Sequence, residues 1–524
     1  MLATTPPFEA RWRSHLRTRR WAALVAALAL PLTGCSVLSP GPEPSGLDSE
    51  SAAPLPEDKA DLKPFYEQQL KWGDCPTGPG ECAQLKVPVD WSKPKGETMK
   101  IGVYRAKATG DSAGSLVVNP GGPGGSGMDY AAAADQIVSS EVRRHFDIVG
   151  FDPRGVGVSE PIDCLTDPEL DDFLGQDPTP DDTAERKEAV SIAKDFAKKC
   201  EERVGTELQH VSTKDAAQDM DALRAVLGDA KLNYLGKSYG TYLGTLYAEN
   251  FPKNVGRMVL DGAVPPDVST LEFDKGQAKG FDDATTAWAK DCVSQTCPLG
   301  SNVEEVTGSV QDLLKELDEK PISGSGGLRL TEGWATMGIA QAMYDEAQWW
   351  TLTKAIVSAQ EGDGGGLMSL AMQYAMRDPS GGYSSNLMES FRVISCADRQ
   401  PTTSVEDWSE YAAKIKDVAP ILGGSFGWQS SLCAVWPTQA EEEPHEVSAK
   451  GADPILVVGT TNDPATPYRW AKRLDDQLAD STLLTYEGEG HTAYRRGSDC
   501  VDKAVDNYWL TGELPKREDR TCSS

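Results

Sequence analysis

The sequence predicts a mostly parallel α/β sheet flanked by helices, with a helical cap inserted into it. Three observations carry this. Short apolar runs of four to six residues recur, closed by Gly, Pro or Asp, the pattern of strands buried on both faces. Helical patterns such as 216–227 and 241–250 alternate with them, and strand–helix alternation favours parallel connections. Between about 265 and 395 the alternation stops and only helical patterns follow one another.

The chain opens as an export signal. Arg11, Arg13, Arg17, Arg19 and Arg20 precede a twelve-residue apolar stretch, 21–32, too short to span a bilayer and right for a signal h-region. It ends in Leu32-Thr33-Gly34-Cys35, which looks like a bacterial lipobox whose Cys35 is diacylated after cleavage of 1–34. Arg19-Arg20 also admits a twin-arginine signal, although a merely basic n-region is the simpler account. The stretch that follows is rich in Pro, Ser, Glu and Gly, so 35–62 is expected to be a flexible tether. No other segment resembles a membrane span. The expectation is an exported protein, lipid-anchored at the cell membrane or secreted.

Composition narrows the class. Hydrophobic residues make 39% of the chain, with 50 Gly, as in a globular protein rather than a disordered or fibrous one. With 51 Lys+Arg against 80 Asp+Glu, the net charge is −29. Loss of five Arg and Glu9 with the signal would leave about −33. Such acidity argues against a nucleic-acid partner, which needs surplus cations on at least one face. Setting Cys35 aside, ten of the eleven Cys remain. An even number in an exported chain suggests disulfides, and the spacings are not those of a zinc site. Spacing does not fix connectivity, but pairing neighbours in chain order would close five loops of modest size.

In chain order, 85–91 and 99–105 read as an opening hairpin, followed by strands at 115–119, 146–151, 232–235 and 257–260. Helical patterns at 277–292, 303–319, 331–344, 346–360 and 367–376, with four Trp among them, form the expected cap, 265–395. Strands at 454–459 and 482–486 resume the sheet. The core is thus expected in two parts, 63–264 and 396–524. No internal repeats are found.

G-x-S-x-G occurs three times, around Ser112, Ser238 and Ser425. A nucleophile elbow needs a strand leading in and a helix leading out. Only Ser238 has both, at 232–235 and 241–250; Ser112 lies between strands, and Ser425 leads into no clear helix. A base must come from few histidines. His15 is in the signal, His445 sits among glutamates, and His145 and His210 read as structural. His491 follows a strand and a Gly-Glu-Gly turn, which puts it at the strand end where open α/β sheets build sites. Asp463 ends the preceding strand run. Each residue alone has a plain reading, as a turn Ser, an Asx-turn Asp or a solvent-facing His. Together the order Ser238, Asp463, His491 is that of α/β hydrolases.

After the third strand comes Asn119-Pro-Gly-Gly-Pro-Gly-Gly-Ser-Gly127, whose glycines let backbone N–H groups approach a ligand. The N–H of Tyr239 and that of Gly121 or Gly122 would form an oxyanion hole. The segment lacks the endings of a P-loop or a dinucleotide fingerprint.

At these residues the chain resembles the proline-iminopeptidase branch of the α/β hydrolases, and most of all the secreted tripeptidyl aminopeptidases of actinomycetes. The motifs are NPGGPGGSG (119–127), FDPRGVGVSEP (151–161), GKSYGTYLG (236–244), NDPATP (462–467) and GEGH (488–491), and the likeness covers roughly 63 to 510. The branch often opens its oxyanion loop with His where this chain has Asn119, a departure that argues against proline-specific activity. The resemblance implies a serine exopeptidase with no metal or cofactor, acting on peptides with free N-termini and releasing tripeptides. An acidic residue in or beside the cap would hold the substrate amine, with Asp345, Glu346 and Asp398 as candidates, although surface roles suit each equally. The alternatives are a carboxylesterase or lactone hydrolase on the same fold, and a non-catalytic binding lipoprotein, which would normally have lost a triad member.

Overall fold

A computed structural model describes residues 57–523 apart from Thr77, Gln439 and Glu441. The expected signal, Cys35 and most of the expected tether lie outside the described residues.

The strands are β1 (Gly73–Asp74), β2 (Glu81–Pro88), β3 (Thr98–Ala106), β4 (Ser115–Asn119), β5 (Asp147–Phe151), β6 (Leu232–Lys237) and β7 (Val255–Asp261). A separate two-stranded ribbon, β8 (Ile322–Ser323) and β9 (Arg329–Leu330), precedes β10 (Ile455–Asn462), β11 (Ser481–Glu489) and β12 (Thr521–Ser523). Apart from that ribbon they form one sheet in the order β1-β2-β3-β5-β4-β6-β7-β10-β11-β12. The pairs from β1 through β5 are antiparallel and all later ones parallel. This is the mostly parallel sheet of an α/β hydrolase.

Every residue of β4 and β7 is buried, because helices cover both faces. Side chains alternate between the two layers. Val117, Tyr234, Leu260 and Val457 pack beneath α4 (Thr213–Leu227) and α5 (Tyr239–Asn250). Val118, Leu235, Val259 and Val458 face α1 (Gly127–Ala132) and α14 (Asp499–Thr511). The helices α2 (Asp167–Leu174) and α3 (Thr183–Val204) follow β5, and α13 (Tyr468–Gln477) connects β10 to β11.

Between β7 and β10 lie α6 (Thr270–Ser294), α7 (Val303–Glu319), α8 (Glu332–Met343), α9 (Trp349–Gln360), α10 (Gly365–Ala375), α11 (Leu387–Asp398) and α12 (Trp408–Lys416). The expected cap boundary at 395/396 falls inside α11, and the sheet resumes only at Ile455. The reason is visible in α11, whose apolar face continues through Val393, Ile394 and Ala397. The Cys396–Cys433 disulfide then ties the next segment to the same body. Leu170 and Phe196, from α2 and α3, join this helical core as well.

All ten described Cys pair in chain order, as 75–82, 164–200, 292–297, 396–433 and 500–522. Those disulfides fit an exported protein. Among the described residues no helix is long and apolar enough to cross a membrane.

The FDPRGVG motif serves the scaffold. Arg154 is fully buried and grips Asp219 of α4 with Nε–Oδ2 2.8 Å and Nη2–Oδ1 2.6 Å, a bidentate pair. Its Nη1 also donates to the carbonyls of Val89 and His210, so one side chain joins the β5 exit to the opening hairpin and α4.

Candidate active site

Ser238 sits between β6 and α5 with φ 55° and ψ −125°, a conformation non-glycine residues adopt only when their surroundings enforce it. Here the surroundings are specific. The Ser238 N–H donates to the Asp261 carbonyl at 2.9 Å, and Thr241 Oγ1 donates to the Ser238 carbonyl at 2.6 Å. A Cβ at Gly236 would lie 2.3 Å from the Gly240 carbonyl oxygen, so the tight turn requires glycine there. The other two G-x-S-x-G serines differ. Ser112 is in an exposed loop, while Ser425 is buried in the short helix Gly423–Phe426 beside Thr336.

His491 Nδ1 lies 2.8 Å from Asp463 Oδ1 and 2.9 Å from Oδ2. The Asp463 side chain is wholly buried and accepts from the N–H groups of Ala465, Thr466 and Thr492 and from Thr466 Oγ1. Such a carboxylate is held rigidly, with its charge balanced by donors. The inserted helical segment reaches this point: the His491 N–H donates to the Tyr344 carbonyl at 3.0 Å, and the Tyr344 ring meets the imidazole edge-on at 5.2 Å.

Asp261, which sequence reasoning missed, fixes the loop beyond His491. Its fully buried carboxylate accepts from the N–H groups of Ala493 and Tyr494, while Lys237 Nζ donates to the Tyr494 carbonyl at 2.6 Å. Burial raises the Asp261 carboxyl above its ordinary range, and Lys237 opposes that. Residues 237 and 261 end neighbouring strands and are paired in register, a link no local motif encodes.

Gly121 and Gly122, the alternatives for the second oxyanion donor, differ in their hydrogen bonding. Gly121 N–H is spent on Asn119 Oδ1 at 2.9 Å, so Gly121 is not available as a donor. Its part is steric: a Cβ there would fall 2.5 Å from the Lys237 carbonyl and 2.9 Å from Ser238 Cβ. Gly122 N–H and Tyr239 N–H make no hydrogen bond among the described residues.

Ser238, His491 and Gly122 line one cavity of about 410 Å³. A smaller adjoining cavity shares Ser238 and Gly122 and is lined by Asp274, Asp398, Arg392 and Arg399. Asp398 accepts from the Thr213 N–H at 2.7 Å and from Thr213 Oγ1 at 2.5 Å, and burial pushes its carboxyl up to about 6. Asp345 and Glu346 line neither cavity. Asp345 caps the turn at Ala347 and pairs with Arg496 at 3.3 Å, and Glu346 is exposed. The remaining described histidines are away from the site: His145 meets Glu141, the His210 carbonyl accepts from Arg154, and His445 contacts Glu249.

In the lining of the larger cavity, Asp177 stands beside Glu332, which is 5% exposed. Burial pushes the Glu332 carboxyl up to about 8, Asp177 and Asp318 add to this, and the bond from Thr179 Oγ1 at 2.7 Å opposes it. Between the unfolded pKa of about 4.3 and that value, the native state binds the extra proton. Stability is therefore fully present below the lower pKa and lost as pH rises through the upper one. Denaturant midpoints are expected to decline from pH 5 to pH 8, and less steeply in Glu332→Gln; equal slopes would contradict the assignment.

The chain is similar to several known proteins. A family model described as "TAP-like protein" matches residues 419–522. "Serine protease Hip1" of Mycobacterium tuberculosis is 38% identical over 517 residues, covering 94% of this chain and 96% of that one. "Carboxylesterase B" of the same organism is 38% identical, over 86% and 90% of the two chains. "Tripeptidyl aminopeptidase" of Streptomyces lividans is 31% identical, over 87% and 86%.

Proposed function

Since the chain belongs to the tripeptidyl-aminopeptidase-like family of α/β-hydrolase serine peptidases, we propose that Ser238, His491 and Asp463 are its triad and that it releases short peptides, tripeptides foremost, from free N-termini. The observation that carries this is the Asp463–His491 Nδ1 contact of 2.8 Å, with His491 sharing a cavity with an elbow serine.

With Nδ1–H donating to Asp463, the His491 Nε2 is left as base. It takes the Ser238 Oγ proton as Oγ bonds to the scissile carbonyl carbon. The developing oxyanion is met by the N–H groups of Tyr239 and Gly122. His491 then returns the proton to the leaving amine as the C–N bond breaks. Water repeats the sequence on the acyl-enzyme, freeing the peptide and Ser238. Asp398, in the lining of the smaller cavity, is the candidate of the three best placed to meet a substrate ammonium. The helices over the sheet would restrict entry to chain ends, with the cap taken as 265 to about 435. The chain would be exported and anchored through a diacylated Cys35; lipid label is expected in the wild type and absent from Cys35→Ala, and label in both would refute the anchor.

The carboxylesterase alternative has one support, the relative named for that activity. A panel of a free-amine tripeptidyl amide, its N-acetylated twin, aminoacyl and dipeptidyl amides and an acetate ester decides between them. The free tripeptidyl amide is expected to be cleaved at least tenfold better than its acetylated or shorter counterparts. Ester turnover without amide cleavage would sink the exopeptidase assignment.

A further inference from the structure

Arg392 lies midway along α11, and Arg399 is the extended residue just beyond its end. Both line the smaller cavity at Ser238, and Arg392 lines the larger one too. Neither guanidinium has a hydrogen bond or ion pair among the described residues, and Arg392 Nε, Arg399 Nε and Arg399 Nη2 are buried without partners. Arg399 is held in place by aromatic rings, with Cζ 4.5 Å from the Tyr242 centroid and 4.8 Å from that of Phe273. The nearby acids are served by neutral donors instead, Asp274 by Tyr411 Oη at 2.7 Å and Asp398 by Thr213.

Asp274 and Asp398 reach these guanidiniums through space only, and buried cations without a hydrogen-bonded acid cost stability. A chain of net charge −29 with 80 acidic residues offers many carboxylates with which evolution could have paired them. Their preorganised, unsatisfied N–H groups suit an acceptor that arrives with the substrate.

We propose that Arg392 and Arg399 form an anion subsite that takes a carboxylate of the peptide substrate. The carboxylate is either an Asp or Glu side chain in the acyl part or the C-terminal carboxylate of a short leaving part. The subsite belongs to the reaction only if Ser238 is the nucleophile, as proposed above, but its ligand preference can be read without turnover.

The test is calorimetric binding of free-amine tetrapeptides to the full chain carrying Ser238→Ala. Peptides carry Glu or Gln at each of the first three positions and end in a carboxylate or an amide. One matched pair is expected to differ roughly ten- to hundredfold in favour of the carboxylate, and which pair differs identifies the source. Adding Arg392→Gln or Arg399→Gln should bring that ratio to within about threefold. Arg→Lys versions, which keep the charge but lose the fork, should give intermediate ratios and guard against a misfolded Gln variant. No peptide binding, no pair differing by more than about threefold, or a ratio surviving in both Arg→Gln variants would overturn the subsite. Turnover of the same peptides by the Ser238 protein is a separate readout. A carboxylate preference in binding with no Ser238-dependent cleavage would keep the subsite and remove the peptidase assignment.

Discussion

Ser238→Ala is expected to lower turnover of the free-amine tripeptidyl amide by about ten-thousandfold to a millionfold. The size follows from what remains. Without Oγ no acyl-enzyme can form, and only substrate positioning and the oxyanion donors act on a water attack. The elbow should survive, because its geometry rests on backbone bonds to Asp261 and Thr241 and on close packing at Gly236. Thermal midpoints of variant and wild type are therefore expected to agree within about 2 °C, so that lost activity reflects chemistry. Ser112→Ala, in an exposed loop, is the control and should change turnover less than about twofold. A Ser238→Ala protein retaining more than about one-hundredth of wild-type turnover would mean that another serine is the nucleophile.

What was legible in the sequence had local grounds. Strands β4 and β7 stand out because burial on both faces demands apolar residues, which they supply at 116–118 and 258–260. The elbow stands out because a strained turn between strand and helix needs Gly236 and Gly240 around Ser238. The two- and three-residue edge strands, Gly73–Asp74 and Thr521–Ser523, carry too few side chains to show a period. The choice between Gly121 and Gly122 turned on the Asn119 side chain taking one N–H, a detail of loop conformation. Asp261, Asp274 and the arginine pair were invisible for a deeper reason. Asp261 is met by residues 493 and 494, over two hundred positions away in sequence, and Asp274 shares a cavity with Arg392 and Arg399, over a hundred positions away; an isolated Asp or Arg has no pattern to announce where it will point.

Asp463→Asn should separate the orienting acid from the rest of the site most sharply. Asp463 presents both oxygens to His491 Nδ1 and shares them among three backbone N–H groups and one hydroxyl. An asparagine keeps the volume but replaces one acceptor with an NH2 group. Every neighbour there is a donor, so the amide can place its oxygen toward the backbone and Thr466 only by turning its N–H toward the imidazole. Nδ1 must then accept, the proton moves to Nε2, and the ring cannot receive the Ser238 proton. The expected result is a fall of about ten-thousandfold in kcat with KM changed by less than about threefold. Asp261→Asn tests the contrast, since Asp261 meets backbone N–H groups beyond His491 and not its ring. That variant should disturb the 491–494 loop and lower thermal stability, with the kcat loss at least a hundredfold smaller than that of Asp463→Asn. A reversed ranking, with Asp261→Asn the more damaging to kcat and Asp463→Asn within tenfold of wild type, would move the role of orienting acid to Asp261.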